Sequence, residues 1–118
     1  MDAVTLLLDP EAIAQIRVVE RAIGRNDLFS DLVAKLEGNV NGFGAAWTEL
    51  IARGDTTGAT RAAHTLKGTC RQLGAAALGD LFAEIELSTK AGDHAEAKRK
   101  LDASASLIAQ SLEALKRA

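Results

Sequence analysis

Residues 61–74 read Arg61-Ala62-Ala63-His64-Thr65-Leu66-Lys67-Gly68-Thr69-Cys70-Arg71-Gln72-Leu73-Gly74, and both the fold and the chemistry of the chain turn on them. Wound as an α-helix at about 100° per residue, the stretch separates into two faces. Thr60, Arg61, Lys67, Gly68 and Arg71 fall within roughly 60° of His64. Ala59, Ala62, Ala63, Leu66, Thr69, Cys70 and Leu73 gather opposite, a broad face suited to burial. One histidine therefore stands in a solvent-facing stripe, with three cations about it and a glycine one turn away. No aspartate or glutamate within the segment offsets those cations.

The flanks fix where this helix begins and stops. Gly54-Asp55 supplies a stop and a new cap, and Gly74 ends the run, so the histidine helix is expected over about 55–73. Toward the N-terminus, Asp9-Pro10-Glu11 is a helix start, with Asp9 as cap and Pro10 where a missing N–H is harmless. Ala12, Ile13, Ile16, Val19 and Ile23 keep helical spacing as far as Gly24, which defines a short first helix. Asn26 is placed to cap the next one. There Phe29, Val33, Leu36, Val40, Phe43, Trp47 and Leu50 recur at alternating spacings of four and three, a heptad-like seam.

Gly38, Gly42 and Gly44 interrupt that helix, each costing on the order of 1 kcal/mol against alanine. None breaks the phase of the seam. One long helix to about Ala52, bent or locally soft near 38–44, is the expectation, and a split into two is the alternative. A fourth helix from about Ala76 turns Leu78, Leu81, Phe82 and Ile85 inward and ends at Gly92. Asp93 and Glu96 form a capping box for a single last helix, with Leu101, Ile108, Leu112 and Leu115 as its apolar side.

No stretch alternates as a strand does, there is one proline, and the connections are short, which implies antiparallel neighbours. The chain is expected to be all-α: an antiparallel up-down four-helix bundle with a short extra N-terminal helix across one end, residues 1–118 forming one domain. A monomer is expected, because one bundle consumes the apolar stripes. With 47 % hydrophobic and 25 % charged residues the composition is that of a soluble globular protein, and a net charge of -2 gives no basic field for nucleic acid. Met1 to Leu8 carries three leucines beside Val4, with Asp2 in place of a basic residue, and reads as neither signal peptide nor membrane span. The single Cys70 cannot form an internal disulfide, which points to the reducing cytoplasm.

The residue inventory narrows the chemistry. The two histidines, His64 and His94, lie on different helices without ligand-like spacing, and no Cys-x-x-Cys or Glu-x-x-His occurs, so a metal or di-iron centre has little support. No Gly-rich phosphate loop with its lysine is present, and Gly38, Gly42 and Gly44 follow no strand. Cys70 points away from His64, which removes a nucleophile–base pair. An exposed imidazole among cations is suited to carrying a phosphoryl group. Its neutral ring is a good nucleophile at pH 7, and Lys67 and the arginines stabilise the charge that arrives. Nearby cations also favour the neutral ring, and Gly68 leaves room for a partner to close over it.

Ala63-His64-Thr65-Leu66-Lys67-Gly68, the small pair Thr69-Cys70 and the closing Leu73-Gly74-Ala75 resemble the core motif of histidine-containing phosphotransfer (HPt) domains. Gly54-Asp55 and Leu81 to Glu86 look like that family's flanks, so the resemblance spans roughly 53–87. It implies a phosphocarrier, not an enzyme with a kinase or nucleotide site of its own. A receiver domain of a response regulator or hybrid kinase docks on the His64 face and transfers its phospho-aspartate group to that ring. Another receiver then accepts it. The resemblance assigns His64 as phosphoacceptor, Lys67 to charge stabilisation and Gly68 to clearance, with Thr60, Arg61 and Arg71 placed to meet the partner. The chain needs no cofactor of its own, since the receiver brings a divalent cation. Members often place a glutamine near the histidine; Gln72, about 80° away and two turns on, does not fit that place. Two other readings keep the surface but change the role: a non-phosphorylated adaptor for receiver or kinase domains, and a histidine-kinase dimerisation domain. The second wants an acidic residue where Thr65 stands.

Overall fold

A computed structural model describes residues 7–118, so Met1 to Leu6, most of the N-terminal stretch read above, lie outside the described residues. Six α-helices are found there: α1 (Pro10–Ala22), α2 (Leu28–Ala52), α3 (Thr56–Gln72), α4 (Ala76–Lys90), α5 (His94–Ala103) and α6 (Ala105–Arg117). Three of the expected caps are made. Asp9 accepts the N–H groups of Glu11 and Ala12 at 3.1 and 3.4 Å. Asp55 accepts from Gly58 at 2.8 Å, and Asp93 from Glu96 at 3.1 Å, but the Glu96 carboxylate turns to Arg99 at 2.8 Å while the Asp93 N–H goes to the Ser88 carbonyl, so the expected capping box is half made. The four glycine stops share one device: Gly24, Gly54, Gly74 and Gly92 all have φ between 74° and 83°. The residue after each sends its N–H to the carbonyl five positions back, as in Ala75 to Cys70 at 2.8 Å.

The seam of α2 is the spine of the core. Phe29, Val33, Leu36, Val40, Phe43 and Trp47 are buried, and Leu50 is half-buried. The helix runs unbroken through its glycines, so the one-helix expectation holds. A Cβ at Gly38 or Gly42 would meet nothing within 4 Å, and at Gly44 only Leu101 at 3.5 Å. Phe43 meets Phe82 edge to face at 5.1 Å, and the Trp47 indole donates to Thr89 Oγ1 at 3.1 Å. The small residues Ala59, Ala63 and Cys70 on α3 are fully buried and let α4 come close. α3 makes its most extensive contact with α4, and α2 packs on α3 and α6.

Three details differ from the sequence expectation. Val19 and Ile23 do not face inward; they are 52 % and 55 % exposed, while Glu20 is buried at 5 %. The first N–H groups of α2 need acceptors, and α1 is turned to supply one. The Glu20 carboxylate accepts the Phe29 N–H at 2.9 Å and pairs with Arg17 at 3.1 Å. Asn26 accordingly does not cap α2, and the cap residue Asp27 is drawn to Arg25 at 2.8 Å. The last helix is also divided, at Ser104. Its Oγ donates to the Lys100 carbonyl at 2.7 Å while its N–H turns to Leu101 at 3.2 Å, a local competition that interrupts the helical ladder.

The N-terminal helix is fastened at both ends of its run. The Asp9 N–H donates to the Gly74 carbonyl at 2.8 Å, and Ile13 fills the place a side chain at residue 74 would take, 2.6 Å from an ideal Cβ. Arg17 reaches the Ala118 carbonyl at 2.7 Å and lies over the Phe29 ring. No helix of the described residues is long and apolar enough to cross a membrane.

Candidate functional site

The α3–α4 hairpin sets the register of the site. The Arg71 stem lies where Gly79 has no side chain, at 2.7 Å from an ideal Cβ. Those two residues stand four either side of Ala75; His64 and Glu86 stand eleven either side, and touch. Thr60 and Lys90, fifteen either side, border one cleft with His64. The close packing of α3 on α4 therefore delivers a carboxylate to the histidine.

His64 stands mid-helix with its side chain 65 % exposed, and its Nδ1 lies 2.8 Å from Glu86 Oε2. The other oxygen of the same carboxylate lies 2.7 Å from Lys67 Nζ. The Lys67 ammonium first, and the His64 ring N–H after it, hold the Glu86 carboxyl below the usual carboxylate range. An ionised carboxylate only accepts, so Nδ1 is the donor and the neutral ring keeps its lone pair on Nε2. One residue thus meets both the imidazole and the nearest cation.

This geometry corrects the picture of three free cations around the imidazole. Lys67 is paired with Glu86 and is mostly buried along its stem. Arg71 is held on Gly79 with its guanidinium 3.4 Å from Asp80, two turns along from the ring. Arg61 is exposed and, with Thr60, Glu86 and Lys90, lines a cleft of about 370 Å³ beside His64. The Thr60 hydroxyl is turned back to the Thr56 carbonyl at 2.8 Å. The carboxylate on the far side of the ring places the neutral ring's proton on Nδ1 and so its lone pair on Nε2.

Gly68 is exposed, and a Cβ there would meet nothing within 4 Å, so packing within this chain does not require the glycine. On the other flank of α3 a groove of about 680 Å³ runs between Gly42 and Ala46 of α2 and Arg61 and Thr65 of α3. Cys70 is fully buried and its thiol is pushed up to about 12 by that burial. His94 sits apart at the start of α5, its Nε2 3.4 Å from Thr56 Oγ1 and its ring edge-on to Trp47. Among the described residues no three His, Cys, Asp or Glu side chains converge as metal ligands would.

Glu86 is the residue that sequence reasoning missed as part of the site. Its signal was present: with Gly74 as a tight turn between two packed helices, positions equidistant from the turn oppose one another. An exposed nucleophilic nitrogen, an oriented ring, a cation one turn on and an open approach can together accept an electrophilic group at Nε2. Compared with known families, residues 11–118 match the Hpt domain. Searches among curated proteins and among solved structures give no match.

Proposed function

The chain belongs to the Hpt domain family, phosphocarriers that work with receiver domains in His-Asp phosphorelays, and we propose that it carries the phosphoryl group on His64 Nε2. The observation behind this reading is the Nδ1 contact to Glu86, which leaves Nε2 as the nucleophile beside an unobstructed Gly68. A receiver domain docks over the α3–α4 face. Nε2 attacks phosphorus in line, the bond from phosphorus to the aspartyl oxygen breaks, and its electron pair returns to the aspartate. Lys67 moves from Glu86 toward the incoming oxygens and stabilises their charge. Gly68 gives the receiver clearance. Thr60 and Arg61 meet it across the cleft, and Arg71 meets it two turns along from His64. Transfer to a second receiver is the same reaction reversed. The divalent cation belongs to the receiver, and the carrier brings no cofactor, kinase site or nucleotide site.

Four staves serve this role: α2, α3, α4 and the broken α5–α6 pair, antiparallel and up-down, with α1 across one end. We read the protein as a cytoplasmic monomer of one domain. The decisive measurement is transfer from a radiolabelled phospho-receiver to the wild type and to His64→Gln. Acid-labile, base-stable label on the wild type alone is expected. No label from any of several receivers, together with retained binding to them, would replace this reading with that of an adaptor.

A further inference from the structure

We propose that Arg71 is a specificity-determining residue, seated on Gly79 so that its guanidinium takes a carboxylate on the surface of the incoming receiver. The inference rests on the reading of His64 as phosphoacceptor and names what a partner must offer beyond its phospho-aspartate. Seven residues after His64 on α3, Arg71 stands about 10 Å further along the helix and only about 20° round from it. A standard interface covers about 800 Å² on each partner, so a receiver centred on the imidazole reaches this far.

The stem of this side chain is held before any partner arrives. An ideal Cβ at Gly79 would have Arg71 Cγ, Nε and Cδ as its three nearest neighbours, at 2.7, 3.3 and 3.5 Å. Gly79 is itself buried, so the arginine stem fills the notch that the missing side chain leaves on α4. The guanidinium is far less contained. The side chain is 52 % exposed, and among the described residues its ion-pair partner is Asp80, 3.4 Å from one Nη and itself 78 % exposed. An exposed pair at that distance contributes little, and the planar fork of N–H donors is left open to a bidentate carboxylate. Fixing the stem on α4 lowers the rotamer entropy that a long side chain surrenders on binding. The other role open to an arginine in the last turn of α3, a cation against the helix dipole, asks only for charge and gives Gly79 no part. A lysine would serve that role, whereas the fork selects for a carboxylate.

The test follows single-turnover transfer to the full chain from a radiolabelled phospho-receiver, the one of several that labels the wild type most rapidly. Rate against receiver concentration gives a limiting rate and a half-saturating concentration, and circular dichroism gives the thermal midpoint of each variant. Arg71→Ala is expected to raise half-saturation about tenfold with the limiting rate held, the loss of one charge-assisted hydrogen bond. Gly79→Ala keeps the arginine but puts a Cβ where its stem lies, and should also raise half-saturation severalfold. The double variant Arg71→Ala/Gly79→Ala should bind no worse than Arg71→Ala alone, because the Cβ then has no stem to displace. Arg71→Lys should keep the thermal midpoint of the wild type and still bind several times more weakly. Wild-type half-saturation in Arg71→Ala overturns the proposal while leaving His64 as the acceptor. Wild-type half-saturation in Gly79→Ala, or penalties that add in the double variant, overturn the seat. Arg71→Lys that binds as the wild type does reduces the arginine to its charge and overturns the fork. Label on His64→Gln, or none on the wild type from any receiver, overturns the acceptor reading and the proposal with it.

Discussion

A side chain at residue 68 has room within this fold, so a substitution there can separate stability from the proposed clearance role at a single position. Gly68→Ala adds a Cβ that meets nothing among the described residues within 4 Å beyond its own turn of helix. On helix propensity it should stabilise α3 by up to about 1 kcal/mol. Gly68→Gln should also fold, with a circular dichroism melt no lower than that of the wild type. Its acceptance of phosphoryl from a receiver is expected to drop about a hundredfold, the scale on which displaced reactants lose rate. Unimpaired transfer in Gly68→Gln would remove the clearance role. His64, Lys67 and Gly68 were legible in the sequence because they lie three and four residues apart on one helix, where spacing alone fixes the face. Glu86 was harder to read because its place depends on how closely α4 approaches α3, and that distance is set by Ala59, Ala63 and Gly79, not by any local pattern.

At the scale of the element, α2 shows that hydrophobic phase outweighs local propensity. Three glycines cost on the order of 1 kcal/mol each, yet burial of a Val, Leu or Phe side chain returns roughly 1.5–3 kcal/mol. The six buried seam residues therefore carry the helix through them. Because Gly38 and Gly42 face open space, the double substitution Gly38→Ala/Gly42→Ala is expected to stabilise the protein by about 1–2 kcal/mol. Thermal unfolding should show a midpoint several degrees higher; an unchanged or lower midpoint would mean that these positions are held by a contact within the fold. The same rule fails for α1. Its apolar spacing suggested Val19 and Ile23 as the inner row, but the need to satisfy the Phe29 N–H turned Glu20 inward instead. The break at Ser104 was equally invisible to periodicity, since Leu101 and Ile108 keep a helical spacing across it. Helix existence was readable from the chain; helix rotation and continuity were settled by where single polar groups found partners.

For the molecule as a whole, two of the acids that join separate elements are held well inside it: Glu20 ties α1 to α2, and Glu86 ties α4 to α3. Glu20 is held below the ordinary glutamate value of 4.5 chiefly by the Phe29 N–H, and Glu86 chiefly by Lys67. A carboxyl depressed by folding contributes stability that is complete above its unfolded value and is lost as pH falls through its folded value. The unfolding midpoint should therefore be level near neutrality and decline below about pH 4.5, the unfolded glutamate range. Glu20→Gln should lower the midpoint at neutral pH and make the acid decline shallower; a decline as steep as that of the wild type would assign the acid sensitivity elsewhere. The exposed imidazole, finally, is borne mid-way along a continuous helix that starts at the Asp55 cap and is stopped by Gly74, with no loop beneath it. A visitor to this surface finds a backbone already ordered as helix, so little backbone entropy is surrendered on contact. Encounters can be brief and still productive. For a go-between that must release one protein before serving the next, that economy of motion favours rapid exchange over tenacious grip.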